Sequence, residues 1–390
     1  MNELDFVSMT LGNHEYDWGE EFIEANAELA EFPLLAINVY DKDTNKRADY
    51  CDASVMVEVD GIKIGIIGAI GDCYSSIASD KRDGVYFKVG TQLTELVKAE
   101  SKSLRERGAD VIIYSLHDGY GKSVSGSNGV LTGSMSDSYY DMELSRGGYV
   151  DIVFEGHSHQ SYALKDTAGV YHIQGGGDNS GICHAKLEIN FARNEAQTLS
   201  ASSLSDGSYK HYAEDELIDK LLEKYKDELA LANKVLGTNS HKRYSNELKQ
   251  KVAELYCELG LKTWGAEYDI VLGGGYLNTR SPYNLDAGEV RYSDLQSLLP
   301  FDNAIVLCSI KGSDLKRRFT ETDNDTYYVS YSEYGASIRY NIDPNATYYI
   351  ITDSYCSTYA ANRLTEIARY DDSTFARDLL AKYIEDGGYS

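Results

Sequence analysis

The stretch Phe6-Val7-Ser8-Met9-Thr10-Leu11-Gly12-Asn13-His14-Glu15-Tyr16-Asp17 is an apolar run closed by glycine and followed at once by an amide and an imidazole. Two later stretches repeat the arrangement. His117 follows Val111-Ile-Ile-Tyr-Ser-Leu116, and His157-Ser158-His159 follows Asp151-Ile-Val-Phe-Glu-Gly156. In open α/β sheets ligands collect just beyond strand ends, so side chains at three such ends can meet in one place. Neutral imidazole nitrogens and an amide oxygen are donors suited to Mn, Zn, Co or Fe.

Working outward, residues 1–190 alternate apolar runs with amphipathic ones, the pattern of an α/β arrangement. The expected strands are Asp5–Leu11, Phe32–Tyr40, Val55–Val59, Lys63–Ile70, Val111–Ser115, Asp151–Glu155 and Val170–Gln174. Asp60-Gly61 between two of them predicts a tight hairpin. Leu93, Leu96, Val97 and Leu104 mark the buried stripe of a helix that Gly108 ends. Gly119–Gly148, rich in Gly, Ser and Tyr, reads as a long surface loop. Glu214–Leu236 is charged, carries leucines and contains no Gly or Pro, which predicts a connector helix. A second α/β block follows, with a helix near Asn246–Leu259 and strands near Asp269–Leu272, Ala304–Ile310 and Tyr348–Thr352.

Composition narrows the partners. The chain has 390 residues, enough for two or three domains, with 42% apolar and 25% charged residues. A net charge of −25 argues against a nucleic-acid polymer, whose phosphates are bound by an excess of Lys and Arg. Six scattered cysteines form no CxxC pair and read as small buried apolar residues. No stretch approaches the ~20 apolar residues of a membrane span, and the first residues carry no signal-peptide pattern.

The segments GNHEYD, LHDG and GHSH, in this order and spacing, resemble the calcineurin-like metallophosphoesterases of the 5′-nucleotidase and UDP-sugar hydrolase family. That resemblance implies an α/β fold, a four-layer metallophosphoesterase sandwich, and two divalent metal ions. Carried over by position, it implies that Asn13, His117 and His157 ligate one metal and His159 the other. It further implies that His14 stabilises charge on the phosphoryl group and assists the leaving oxygen, and that Asp17 orients His14. Two cations about 4 Å apart activate a water and hold the attacking and leaving oxygens of an in-line displacement. Glu15, His172, His184, His211 and His241 are expected to be structural or surface residues.

The second block resembles the C-terminal substrate-binding domain of the same enzymes through Leu272-Gly273-Gly274-Gly275, then Arg280, then Asp286–Asn303 (DAGEVRYSDLQSLLPFDN). The resemblance implies that Gly274, Gly275, Arg280 and Asn303 contact the substrate, the guanidinium on its phosphate. It implies that Phe301 and Tyr355 stack on a nucleobase. The family's GGDGY segment is replaced here by Tyr359–Leu364 (YAANRL), and extra residues separate the glycines from the arginine. The expected substrate is therefore a nucleotide with altered sugar contacts or another small phosphoester. Lys242 and Arg243 are weaker phosphate-contact candidates.

The expected domains are 1–205, a connector at 206–236, and 237–390. The family's first strands end in Asp-x-His and Gly-Asp, which supply most ligands of one metal and the bridging carboxylate. Neither motif occurs in this chain. The expectations that follow are an incomplete sandwich, weak metal binding by three neutral ligands, and little or no turnover by this chain alone. A complementing N-terminal segment bearing the two motifs is expected to restore hydrolysis. Alternatives are a non-catalytic nucleotide-binding module and one half of a split enzyme. Members of the family are usually exported or surface-bound, which the resemblance extends to the parent protein.

Overall fold

In the computed structural model the described residues are 1–119, 126–127, 130–131, 139–177, 181–190, 195–204, 213, 215–273, 279, 284–320, 330–331, 342–358, 362–371 and 373–387. They divide into two compact units, Met1–Asp215 and Glu216–Ser390.

In the first unit the strands are β1 (Met9–Thr10), β2 (Leu34–Leu35), β3 (Val39–Asp41), β4 (Ser54–Val59), β5 (Ile62–Ile70), β6 (Val85–Phe87), β7 (Val111–His117), β8 (Gly126–Ser127), β9 (Val130–Leu131), β10 (Ile152–Glu155), β11 (Ser161–Lys165), β12 (Tyr171–Gly175), β13 (Ile182–Asn190) and β14 (Glu195–Leu204). The helices are α1 (Glu20–Leu29), α2 (Thr91–Glu106) and α3 (Tyr139–Arg146). The main sheet runs β4-β5-β7-β10-β12-β11-β9-β8. Its centre is parallel: β5 pairs with β7, β7 with β10, and β10 with β12. Those central strands are almost continuously apolar because both faces are covered. Ile67, Ile112, Val153 and Leu104 of α2 are buried in one cluster. Parallel alignment also brings the C-terminal ends of β5, β7 and β10 to the same edge, where Ile70 lies opposite His117.

Asp60 and Gly61 close the β4–β5 hairpin with φ of 52° and 81°, both left-handed, as a two-residue primed turn requires. Other expected boundaries change. Only Met9–Thr10 of Asp5–Leu11 is strand, and Asp5 itself is left-handed with φ 51°. Phe32–Tyr40 splits into β2 and β3 because buried Asn38 bonds through its side chain to Ile70 N, Ile70 O and Lys88 O. Those bonds replace a ladder and turn the chain. The Gly119–Gly148 segment is not all loop: β8, β9 and α3 lie within it, and residues 120–125, 128–129 and 132–138 are outside the described residues. The antiparallel pair β13–β14, a separate two-stranded sheet among the described residues, was not anticipated.

In the second unit the elements are α4 (Glu216–Leu222), α5 (Lys226–Ala232), β15 (Val235–Asn239), α6 (Ser245–Trp264), β16 (Ile270–Gly273), β17 (Gly288–Arg291), α7 (Tyr292–Leu298), β18 (Ile305–Lys311), α8 (Gly312–Thr320), β19 (Ser330–Tyr331), β20 (Thr347–Asp353), α9 (Ser354–Thr358), β21 (Thr365–Arg369) and α10 (Ala376–Glu385). The sheet order is β19-β16-β20-β18-β21. Buried Leu255 and Tyr256 of α6, Ile305, Ile351 and Leu380 share one core. The expected helix Glu214–Leu236 is broken. A 3₁₀ turn at Glu223–Tyr225 separates α4 from α5, and Val235-Leu236 opens β15, paired with β17. The alternation of exposed Val235 with buried Leu236 is a strand's period, and it overrides the helical run before it.

No described helix is long and apolar enough to cross a membrane.

Candidate active site

The three strand-end motifs converge. Leu11 leaves β1 buried, and a 3₁₀ turn at Asn13–Tyr16 begins immediately after Gly12. The Gly12 N–H donates to Glu15 Oε2 at 2.6 Å, a structural contact that closes the turn. A Cβ on Gly12 would lie 2.6 Å from His117 Cε1, so only glycine lets the turn approach that ring. The Asn13 side chain is thereby delivered to the end of β7. Its Oδ1 lies 2.9 Å from His117 Nε2 and 3.1 Å from His157 Nδ1. The two imidazoles meet edge to face with centroids 5.6 Å apart.

His157 and His159 both hold positive φ, 62° and 55°, backbone that non-glycine residues adopt at a cost of order 1–3 kcal/mol. A buried network holds them there. Gln174 on β12 accepts from Gln160 N at 3.1 Å, donates to Ser158 Oγ at 2.8 Å and to Tyr162 Oη at 3.0 Å. Tyr162 in turn donates to Glu155, which faces His172 Nδ1 at 2.9 Å. His172 is fully buried between Glu155 and Asp166, the latter 3.2 Å from Nε2. Burial works to raise the Asp166 pKa, but the His172 hydrogen bond and charge, together with hydrogen bonds from Ser145 and the Val170 N–H, more than offset it and hold the carboxyl below its ordinary value. His172 is thus a structural residue, and one that braces the turn carrying His157 and His159.

His14 Nδ1 lies 2.9 Å from Asp17 Oδ2, and both side chains are part-exposed. A carboxylate accepts, so the contact places a proton on His14 Nδ1. Burial, then the neighbouring charges of His157, His14 and His159, push the His117 pKa down to about 3. His117 is therefore neutral near pH 7, with a ring nitrogen able to bind a cation. Two ligands of one ion at about 2.1 Å lie about 3.0–3.4 Å apart, and the hydrogen-bonded separations here, 2.9 and 3.1 Å, sit just below and at the short end of that range. The donors fit a divalent cation.

Nearby acids serve other ends. Asp118 is buried; its carboxylate accepts from Asp72 N at 2.8 Å and Gly119 N at 2.9 Å. Asp151 accepts from Arg105 and the Ile112 N–H, both at 2.6 Å. Sequence reading missed Cys73, whose Sγ lies within 4.8 Å of ring nitrogens of His117 and His157. Nothing in the local pattern marks it; only the β5–β7 pairing brings it there.

In the second unit Phe301 and Asn303 lie on the loop between α7 and β18, and Tyr355 lies on α9 just past β20. Antiparallel pairing sets Ile305 opposite Asp353, so both segments leave the same sheet edge. Ser354 ties them, donating from N to Ala304 O at 2.8 Å and accepting from Ala304 N at 3.1 Å. Tyr355 also packs against the core cluster of Val306, Ile350 and Cys356. Gly274, Gly275 and Arg280 lie outside the described residues. Arg243 is no phosphate contact: it is buried, donating to Asn239 Oδ1 at 2.8 Å and pairing with Glu247. Lys242 pairs with Asp286 at 2.9 Å.

The family description "5′-nucleotidase, C-terminal domain" matches residues 233–374. Protein UshA of Yersinia enterocolitica is 23% identical over 81% of this chain and 62% of its own length. The chain is thus similar in sequence to 5′-nucleotidases. A 5′-nucleotidase of Vibrio cholerae is 30% identical over 42% of this chain and 28% of its own length. The chain therefore spans less than two thirds of either relative. A 5′-nucleotidase precursor from Thermus thermophilus shares the fold, with a TM-score of 0.71 at 18% identity, covering 100% of this chain and 82% of that one. So does the sulfate thiohydrolase SoxB of Thermus thermophilus, at TM-score 0.70, 14% identity, and coverage of 100% and 71%. The α/β fold class stands, while the fold alone does not choose the substrate.

Proposed function

We propose that the protein containing this chain hydrolyses phosphate esters of nucleotides with the help of divalent cations, two per site as the resemblance implies. The observation that carries this is the meeting of Asn13 Oδ1 with His117 Nε2 and His157 Nδ1. A cation bound there supplies Lewis acidity and neutralises phosphoryl charge. His159 is assigned to the second cation.

The chain's own residues do the rest. Asp17 fixes the His14 ring, so that the imidazole presents one orientation to the phosphoryl group. With Nδ1–H held by Asp17 and a second proton on Nε2, the His14 imidazolium stabilises the charge that develops and passes the Nε2 proton to the leaving oxygen, a contribution of typically 10²–10⁴-fold. Phe301 and Tyr355 hold the nucleobase, with Asn303 beside them, and Gly274, Gly275 and Arg280 take the phosphate side. Among the described residues the His117–His157 donor group contains no carboxylate. Neutral donors leave the cation's charge uncompensated, so cation binding is weak and turnover by the 390-residue chain slow. Supply of an N-terminal segment with acidic ligands raises it, and export of the whole protein belongs to the same reading.

The test is phosphate release from AMP, and from UDP-glucose with a coupled phosphatase, with and without excess Mn²⁺. Release that needs Mn²⁺ and falls at least about 100-fold in His14→Ala is expected. Release indifferent to both contradicts the proposal. The same neutral donor group favours a second reading, a nucleotide-binding module; AMP binding without release selects it.

A further inference from the structure

We infer that Cys73 is a metal ligand, its thiolate joining His117, His157 and Asn13 in a sulfur-containing site suited to zinc- or cobalt-class cations. The inference rests on the proposal that these histidines hold a cation, and it names a donor that proposal does not use.

Topology places the sulfur. β5 and β7 run parallel with Ile70 opposite His117, and the chain after β5 turns at once into the 3₁₀ segment Asp72–Ser76. Cys73 on that segment lies beside the end of β7, its Sγ 2.8 Å from the His117 carbonyl oxygen. Its Sγ and one ring nitrogen from each of His117 and His157 lie within 4.8 Å of one another. Asn13 Oδ1 completes the set at 2.9 and 3.1 Å from the two rings. Ligands of a tetrahedral zinc ion lie about 3.3–3.8 Å apart, so the sulfur stands within about 1.5 Å of a ligating separation.

Chemistry gives the reason for a thiol here. Two imidazoles and an amide carry no charge, and a thiolate is the one anionic donor this group can offer. Sulfur with imidazole favours zinc or cobalt over manganese and magnesium. Ligation breaks the S–H bond, passes the proton to water and forms the sulfur–metal bond, with no change of oxidation state. The competing role is a buried thiol donating to a carbonyl, which Cys51 fills beside Ala36 and Ala48. Among the described residues Cys73 alone of the six cysteines also belongs to a cluster of potential metal donors.

The test is titration of the purified chain with Co²⁺ in the absence of oxygen, read by electronic absorption. The expected spectrum shows ligand-field bands together with a near-ultraviolet sulfur-to-cobalt charge-transfer band. Cys73→Ser removes the charge-transfer band, keeps ligand-field bands at higher Co²⁺, and weakens binding at least about tenfold, the loss that outer contacts already bring. Cys51→Ser leaves the spectrum unchanged. Ligand-field bands without a charge-transfer band in the unaltered chain overturn Cys73 as a ligand while leaving the histidines in place. No Co²⁺ binding overturns both readings.

Discussion

Asn13 Oδ1 lies 2.9 Å from His117 Nε2, although 104 residues separate the two in the chain. The contact joins the turn after β1 to the end of β7, and His157 reaches the same oxygen from the end of β10. Asn13 is buried, so removing its amide takes a polar partner from two part-buried imidazoles. Asn13→Ala is expected to cost about 1–3 kcal/mol in urea unfolding with chelator present, the penalty for buried polar groups left unpaired. It is also expected to weaken Mn²⁺ binding at least about tenfold. Unchanged stability and affinity contradict a shared oxygen.

Gln174 holds the turn that carries two left-handed histidines. Gln174→Leu deletes its bonds to Ser158, Gln160 and Tyr162 while keeping the side chain's bulk. Metal affinity is expected to fall about 10–100-fold, as when contacts behind a ligand are lost. Calorimetric metal titration of the folded variant checks this, and an affinity equal to the parent's contradicts it.

Stability of the metal-free chain depends on pH through His117. Its folded pKa of about 3 lies below the ordinary histidine value, so between those limits the unfolded chain binds a proton that the folded chain refuses. Unfolding is thus favoured by acid, and stability rises with pH from about 3 to about 6.5, at a limiting slope of about 1.4 kcal/mol per pH unit. Asp166, with its pKa lowered, stays ionised across pH 5–7 and adds no slope there. Between pH 5 and pH 7 the His117 term amounts to about 2 kcal/mol, so in urea unfolding with chelator the change in stability from pH 5 to pH 7 is expected to be more positive by about that much in the parent than in His117→Asn. The same change in both proteins contradicts the assignment.

Arg377 brackets the loop that bears Phe301. Its guanidinium donates to Leu299 O at 3.1 Å on one side of Phe301 and to Asp302 Oδ1 at 2.6 Å on the other, with Tyr292 Oη at 3.2 Å. Arg377→Met is expected to cost about 2–3 kcal/mol, from charge-assisted hydrogen bonds lost at a buried side chain. AMP binding is expected to weaken several-fold in Arg377→Lys, which keeps the charge but not the two-sided grip. Retained affinity in that variant contradicts a role for the loop in holding the base.

How much of this was legible follows from what each signal depends on. The central strands could be read because both faces are buried and their apolar runs are unbroken. Asn13, His117 and His157 were readable as strand-end residues because parallel strands share one edge. Cys73 was not, since its place depends on which strand neighbours β5, information absent from the local pattern. Nor was the division of Phe32–Tyr40, where one buried Asn38 side chain outweighs a continuous apolar run. The break at Glu223–Tyr225 was missed for the same kind of reason: helix propensity is local, while the pairing of Val235 with Arg291 is not. The role of His172 was recognisable only as structural; its two carboxylate partners come from β10 and the turn before β12.

The most direct test of the central claim is a Mn²⁺ titration followed by electron paramagnetic resonance of the free ion, on the parent chain and on His117→Ala. The account predicts that the parent chain removes free Mn²⁺ from solution, at high protein concentration, and that His117→Ala fails to do so while remaining folded. Equal depletion by both proteins, or none by the parent, would contradict a cation held between Asn13, His117 and His157.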